Sequence, residues 1–207
     1  MKLAALILVS ASLAYAYPGA LAQDPAAAGQ NPARSYNESG KTTVDGVMVP
    51  YLVRRLPVDS FPNLPDPVVE VLNQRGCLIP QTYQAHHPEN VIHAGFERPG
   101  ASDWAVLCSV HGRVDLLVFF ARSPGKPVTL ASAPEMERLQ RHDLTGVFGF
   151  DWGIDPASPE QVREAQAGLQ HHPPTLDHDA LVDTVLNEKT LYRYFAHNAW
   201  TVLEMPQ

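Results

Sequence analysis

Histidine is the reactive residue type that stands out in this 207-residue chain, which contains nine of them. Imidazole nitrogens and carboxylates are the ligands that zinc, copper or nickel takes in proteins. Adjacent histidines on a strand point to opposite faces, and nearby prolines place both histidine pairs in loops, so their spacing matches no ordered site. We therefore expect no bound metal and no cofactor. The residues that a metal site would have to use are His86 and His87 and, further along the chain, His171, His172 and His178.

Ser109 and His111 are the nearest approach to a nucleophile and its base. A hydrolase of that type also needs an orienting acid, and Asp103 and Asp115 lie close by in the sequence. The turn at His111-Gly112 interrupts the alternation that would aim both side chains to one face. The chain contains neither Gly-x-Ser-x-Gly nor His-Glu-x-x-His. We expect the serine and the histidine to lie at the end of a hairpin without a catalytic role.

Asp151 and Asp155 flank Trp152 in the segment FGFDWGIDP. Two carboxylates beside an aromatic ring are what a sugar-binding or glycoside-cleaving cleft uses. The same residues at the end of a strand would pack a tryptophan and cap the next turn. The segment therefore leaves two interpretations open, a packing role and a glycosidase site.

The N-terminus has the pattern of a cleaved secretory signal. Lys2 is followed by an apolar run to Ala16, which is too short to span a bilayer, and Pro18-Gly19 then breaks any helix. We place the cleavage after Ala22 in preference to Ala16. Removing residues 1–22 takes away Lys2 and no acidic residue, so the net charge changes from −7 to −8. We expect a secreted or periplasmic protein that does not span the membrane after cleavage.

An oxidising compartment gives the two cysteines a simple interpretation. Cys77 and Cys108 are the only cysteines of the chain, and outside the cytoplasm they are expected to form one disulfide. The alternative is a reactive or exchanging thiol, but no Cys-x-x-Cys is present and both cysteines adjoin apolar residues.

Residues 23–46 are rich in alanine, proline, glycine and polar residues without an apolar period, and they predict a disordered leader. The remaining residues, 47–207, are expected to form a single domain. Helices are predicted from Asp66 to a left-handed cap at Gly76, from Ser132 to about Arg141, from Ser158 to about Gly168, and over roughly 178–187. Strands are predicted over 90–97, 103–110, 113–120 and 145–150, and in a hairpin over 191–203. This pattern indicates an α+β fold, a mostly antiparallel sheet with three or four short helices and one disulfide.

Three segments carry a resemblance. They are Arg75-Gly-Cys-Leu-Ile-Pro-Gln81, Asp103-Trp-Ala-Val-Leu-Cys-Ser109, and Lys189-Thr-Leu-Tyr-Arg-Tyr194 with Trp200. Together they resemble a group of uncharacterised secreted bacterial proteins over roughly residues 64–204. The resemblance implies an extracytoplasmic bacterial domain whose two cysteines recur together. It implies no activity and no catalytic residue.

The composition excludes some functions and favours others. An acidic chain does not bind nucleic acid through a broad basic surface. The predicted C-terminal hairpin carries three large aromatic residues, Tyr192, Tyr194 and Trp200, which could present a binding surface or fill the core. We predict a binding or accessory module without catalysis of its own, acting on an envelope protein or a glycan. The alternatives are a cell-envelope hydrolase and a histidine-based metal-binding protein.

Overall fold

The computed structural model describes residues 36–142, 145–167, 175–185 and 189–204. Strands hold 52% of these residues and helices 16%. The strands are β1 (Tyr36–Val44), β2 (Val47–Pro57), β3 (Leu78–Gln81), β4 (Val91–Ala94), β5 (Asp103–Val110), β6 (Arg113–Phe119), β7 (Val128–Pro134), β8 (Leu139–Arg141), β9 (Phe148–Phe150), β10 (Trp152–Ala157), β11 (Ala180–Val185), β12 (Lys189–Ala196) and β13 (Ala199–Glu204). The α-helices are α1 (Asp66–Arg75) and α2 (Pro159–Gln166), and two 3₁₀ turns span Val58–Ser60 and Glu135–Arg138.

Helix α1 begins at Asp66 and is followed by Gly76, as predicted, although its N-cap residue is Pro65 and not Asp66. Proline in the first turn pre-sets the helical φ angle, and Gly76 ends the helix in the left-handed conformation with φ of 71°. The next residue, Cys77, forms a disulfide with Cys108 across a Cα–Cα distance of 5.1 Å. The predicted disulfide is therefore confirmed, and it joins the end of α1 to strand β5.

Nine strands form the larger sheet. Its main path runs β7-β6-β5-β3-β2-β9-β8, with β1 paired to β2 and β4 paired to β5. Only the β2–β9 pairing is parallel among the described strands of this sheet. The other four strands, β10 to β13, form an antiparallel meander in chain order.

Strands β5 and β6 are buried on both faces, as the density of apolar residues along them predicts. On one face, Leu107 and Leu116 belong to a core that also contains Trp152 and Leu181 of the smaller sheet. On the other face, α1 packs over a second core. That core includes Val68, Leu72, Ile79, Val106, Leu117 and both half-cystines.

The predicted α+β class is wrong, because the described chain is mostly β-sheet with only two α-helices. Residues 132–141 form the end of β7, a 3₁₀ turn and β8 instead of a helix. Residues 180–185, inside the helix predicted over 178–187, form β11 between two strands of the smaller sheet. Long-range pairing thus overrides the helical spacing of Leu181, Val182 and Val185.

Residues 36–46, which we expected to belong to a disordered leader, form β1 and its turn into β2. The turn is Asp45-Gly46, with φ of 50° and 79°. Positive φ at both central residues is what a two-residue hairpin of this hand requires. All described residues fall within one compact unit. The predicted signal peptide, 1–22, and residues 23–35 lie outside the described residues.

Candidate functional site

Among the described residues, the histidines do not assemble into a metal site. His86 and His87 are exposed, and no group of three or more histidine, cysteine, aspartate or glutamate side chains in the described ranges is arranged to hold a metal ion. His178 is held by its neighbours, because its Nδ1 lies 2.7 Å from Asp177 Oδ1 and its Nε2 lies 2.7 Å from the Phe195 carbonyl oxygen. His171 and His172 lie outside the described residues.

Ser109 forms a hydrogen bond with a buried carboxylate. Its Oγ donates to Glu135 Oε1 at 2.9 Å, and both side chains are buried. His111 occupies the β5–β6 turn with φ of 49°, exposed to solvent. Asp103, fully buried, accepts hydrogen bonds from two backbone amides, those of Glu97 and Ala121. The hydroxyl, the imidazole and the carboxylate therefore each have separate surroundings, and the geometry of a catalytic triad is not built here.

The same Glu135 is the centre of a charged network at the base of the β1–β2 hairpin. Its carboxylate accepts from Nε and Nη2 of Arg55, and Arg55 also pairs with Glu38 of β1 at 2.8 Å. The hydrogen bond from Arg55 lowers the pKa of Glu38. Tyr51 donates its hydroxyl to Glu38 at 3.1 Å. The sequence does not predict this network, because its members come from four separate places, β1, β2, β5 and the turn after β7.

Asp151 and Asp155 have different environments. Asp151 is fully buried, and its backbone amide donates to the Arg138 carbonyl. Asp155 is exposed as a residue, yet partial burial of its carboxyl, and secondarily the negative charge of Glu89, raise the pKa of Asp155. Glu89 accepts a hydrogen bond from Thr82. The carboxylate that faces Asp155 is therefore Glu89, which no local sequence signal indicates.

Asp155 and Glu89 lie in a polar cleft of about 450 Å³ between β4, β10 and the segment after β3. Thr82, Asn90 and Thr184 also line it. Asn90 is fixed here in the left-handed conformation with φ of 67°, and its buried amide bonds the backbone of Pro80, Trp152 and Ile154. The cleft is thus built on a rigid floor that joins the two sheets.

The C-terminal aromatic residues mostly pack inward. Tyr194 is buried, and Tyr192 packs against the small core under α2. Trp200 packs among Phe96, Phe120 and Phe195, with ring centroids 5.6–6.3 Å apart. These three residues, which we considered for a binding surface, therefore contribute chiefly to the cores.

Exposed apolar side chains concentrate on the β1–β2 hairpin instead. Seven large apolar side chains are exposed in the described part of the chain, and four of them, Tyr36, Val47, Met48 and Leu52, belong to this hairpin with exposed fractions of 42–63%. Val47 and Met48 follow directly after the Asp45-Gly46 turn, so they lie at the tip. We call the outer part of the hairpin, residues 39–52, the hairpin arm.

The hairpin arm leads into an apolar pocket where β2 meets β9. We call this cavity of about 290 Å³ the β2–β9 pocket, and it is lined chiefly by Leu52, Arg54, Tyr83, His142, Val147 and Phe148. Alternation along β2 puts Met48, Leu52 and Arg54 on one face, so the arm and the pocket share a surface. Gly149 lets Tyr83 approach closely, because a Cβ at Gly149 would lie 2.5 Å from that of Tyr83.

No protein-family model matches this chain, and no similar protein was found among the curated proteins or the solved structures. Function therefore has to be argued from the chemistry of these sites. Among the described residues no helix is long and apolar enough to cross a membrane.

Proposed function

We propose that this protein is a non-catalytic binding module of an extracytoplasmic compartment, and that the hairpin arm with the adjoining β2–β9 pocket is its binding surface. The observation that carries the proposal is the exposure of Val47, Met48 and Leu52 on one short segment beside an apolar cavity. Single exposed apolar residues are ordinary, whereas clustered ones mark interaction surfaces. The cysteine pair and the predicted signal sequence support the compartment, since disulfides persist in oxidising surroundings.

The partner that suits this surface is a protein. The arm is a two-stranded ribbon with exposed apolar side chains on both faces, Val47 on one and Met48 and Leu52 on the other. Among the described strands, β1 pairs only with β2, so the outer edge of β1 is open. An open edge binds an extended segment through backbone hydrogen bonds, and adjoining side-chain pockets provide specificity. Val47 and Met48 would be covered by the partner, while the β2–β9 pocket would receive one of its groups.

Differential capture from an envelope fraction tests the proposal. We expect the immobilised protein to retain a stoichiometric partner that is lost when Val47→Ser and Met48→Ser are combined. Val128→Ser with Val202→Ser is the matched control, because both valines are also exposed but lie on β7 and β13. Urea unfolding of each variant checks that it folds. A partner retained equally by both double variants, or no stoichiometric partner at all, would refute the proposal.

A second candidate function rests on the cleft that holds Asp155 and Glu89. A carboxyl with a raised pKa beside a second carboxylate is the arrangement that glycoside hydrolysis uses, one group as acid and the other as base or nucleophile. A panel of cell-wall glycans should then be cleaved by the wild type and not by Asp155→Asn or Glu89→Gln. Inactivity of the wild type across the panel would eliminate this alternative.

A further inference from the structure

The β2–β9 pocket combines apolar walls with one uncompensated cation. Arg54 carries the only formal charge among the described side chains that line it. One guanidinium nitrogen, Nη2, donates to the Ala85 carbonyl at 2.7 Å. Arg54 makes no ion pair within the described ranges, whereas the next residue, Arg55, pairs with two carboxylates, and Arg122 and Arg193 with one each.

A half-buried guanidinium beside apolar walls favours an anionic ligand. Its N–H groups are arranged in a planar fork that fits a carboxylate, and a charge-assisted hydrogen bond strengthens where water is partly excluded. The protein as a whole is acidic, with a net charge of −7, so this half-buried cation at a cavity is not part of a general basic surface.

His142 adds a polar side chain to the lining of the pocket. Its ring packs edge-on against Tyr83, with centroids 5.0 Å apart, and its Nδ1 is buried without a hydrogen-bond partner among the described residues. Buried polar atoms in native proteins normally have a partner, so an atom without one in the protein is open to a partner from outside it. In the tautomer protonated on Nδ1, this atom would donate to an acceptor that a ligand brings.

The size and walls of the cavity restrict the apolar part of the ligand. A volume of about 290 Å³ lies just below the range for small-molecule sites, roughly 300–1,000 Å³. The walls provided by Leu52, Val147 and Phe148 suit one branched or aromatic group rather than a long acyl chain.

From these observations we infer that the β2–β9 pocket binds the carboxylate of a compact apolar acid, with Arg54 pairing to the carboxylate and the apolar walls enclosing the rest. This inference extends the proposed function, because it assigns the group that the pocket of the binding surface accepts. Such an acid has two sources, a free aliphatic or aromatic acid and the C-terminal residue of a polypeptide. The shared chemistry is an apolar group next to a carboxylate.

A titration followed by ¹H–¹⁵N NMR tests the inference on the mature protein. The probes are 3-phenylpropanoate and 4-methylpentanoate, with 3-phenylpropanamide and acetate as controls that lack the charge or the apolar group. We expect saturable shifts at the amides of Leu52, His142 and Gly149 with both acids and with neither control. A second arm compares a short peptide ending in a free leucine carboxylate with the same peptide amidated at its C-terminus. Binding of the free-carboxylate peptide identifies a polypeptide C-terminus as the source, and binding of the small acids alone identifies a free acid.

The substitution Arg54→Met tests the role of the charge. It should weaken binding of the acids roughly 10- to 100-fold, the value of a charge-assisted hydrogen bond. Arg75→Met, the same substitution at an exposed arginine in the last turn of α1, should leave binding unchanged. If Arg54→Met does not fold, the comparison of 3-phenylpropanoate with 3-phenylpropanamide in the wild type still tests whether binding requires the carboxylate.

Three results would overturn the inference: equal affinity of the wild type for the acid and the amide, equal affinity of Arg54→Met and the wild type for the acids, or no saturable shifts with any probe. The two proposals fail separately. Loss of acid binding with retained capture through Val47 and Met48 refutes only the pocket ligand. Acid binding without any arm-dependent partner refutes only the protein-binding function.

Discussion

The Arg55–Glu135 ion pair predicts a loss of stability on substitution of Glu135. The second carboxylate that pairs with Arg55, Glu38, provides the control. Arg55 pairs with Glu135, whose side chain is 2% exposed, and with Glu38, whose side chain is 53% exposed. Glu135 accepts three hydrogen bonds, two from Arg55 and one from Ser109. In Glu135→Gln, an amide N–H₂ group must face these donors, and Arg55 loses its buried counter-charge.

Removing one partner of a buried ion pair typically costs about 3–5 kcal/mol, because the other charge is left desolvated. Arg55 keeps Glu38, so we expect the lower end of that range, about 3 kcal/mol, for Glu135→Gln. Glu38→Gln removes a partner that is mostly in water, and we expect a loss of about 0–1 kcal/mol. Equilibrium urea unfolding, extrapolated to water, measures both free energies.

A third variant separates charge burial from packing. Arg55→Met combined with Glu135→Leu removes both buried charges, and well-packed apolar replacements of such pairs are often neutral or stabilising. We expect this double variant to be more stable than Glu135→Gln alone. The reasoning is refuted if Glu135→Gln loses no more stability than Glu38→Gln, or if the double variant is the least stable of the three.

Three further predictions concern the disulfide, a close contact and the acidic cleft. Replacing Cys77 and Cys108 by alanine opens a loop with a sequence separation of 31, which should cost about 3.7 kcal/mol on the chain-entropy model and lower Tm by roughly 7–15 °C in calorimetry. Gly149→Ala should destabilise by about 1–3 kcal/mol in urea, because the new Cβ overlaps Tyr83, whereas Gly125→Ala, which meets nothing within 4 Å, should be neutral. The raised pKa of Asp155 means that the folded state binds this proton more tightly than the unfolded state. The free energy of unfolding should therefore rise as the pH falls from above the folded-state pKa of Asp155 towards its unfolded-state pKa. Asp155→Asn should remove that gain, and a variant whose stability depends on pH as the wild type's does would contradict the prediction.

Most features of the fold that the sequence predicts correctly have local causes. Helix α1 has proline in its first turn and a left-handed glycine after its last, so both ends are encoded within a few residues. The β5–β6 hairpin has the His111-Gly112 turn and two dense apolar runs. The disulfide follows from the predicted compartment and the count of two cysteines.

Strand β11 shows why local sequence patterns do not predict the other elements. Its inward-facing residues include Asp183, which looks solvent-exposed in sequence. In the fold this carboxylate is buried and accepts from Trp152 Nε1 and Arg193 Nε. Because its buried face contains an aspartate, β11 shows no clear alternation of apolar and polar residues. The hydrogen-bond partners of Asp183 lie on the two neighbouring strands, β10 and β12. Only the assembled sheet reveals them.

The candidate sites depend even more on distant residues. The sequence marks Asp155 as a candidate carboxylate, but its neighbour Glu89 comes from a loop before β4. The β2–β9 pocket joins β2 to a segment almost a hundred residues later, through the parallel pairing of Tyr51 with Phe148 and of Leu52 with Gly149. No spacing rule within the sequence connects these positions.

The pairing of β1 with β2 limits how far the chain can be shortened from its N-terminus. Strand β1 covers residues 47–55 of β2, a stretch that reads VMVPYLVRR and is rich in β-branched and aromatic side chains. A chain shortened to start at Val47 would leave that edge bare and would remove Glu38 from Arg55. Bare apolar strand edges pair with one another between molecules, so such a truncation should aggregate where the longer chain stays monodisperse. We therefore expect β1, whose side chains are mostly polar and include Glu38 and Lys41, to limit self-association by covering this edge of β2.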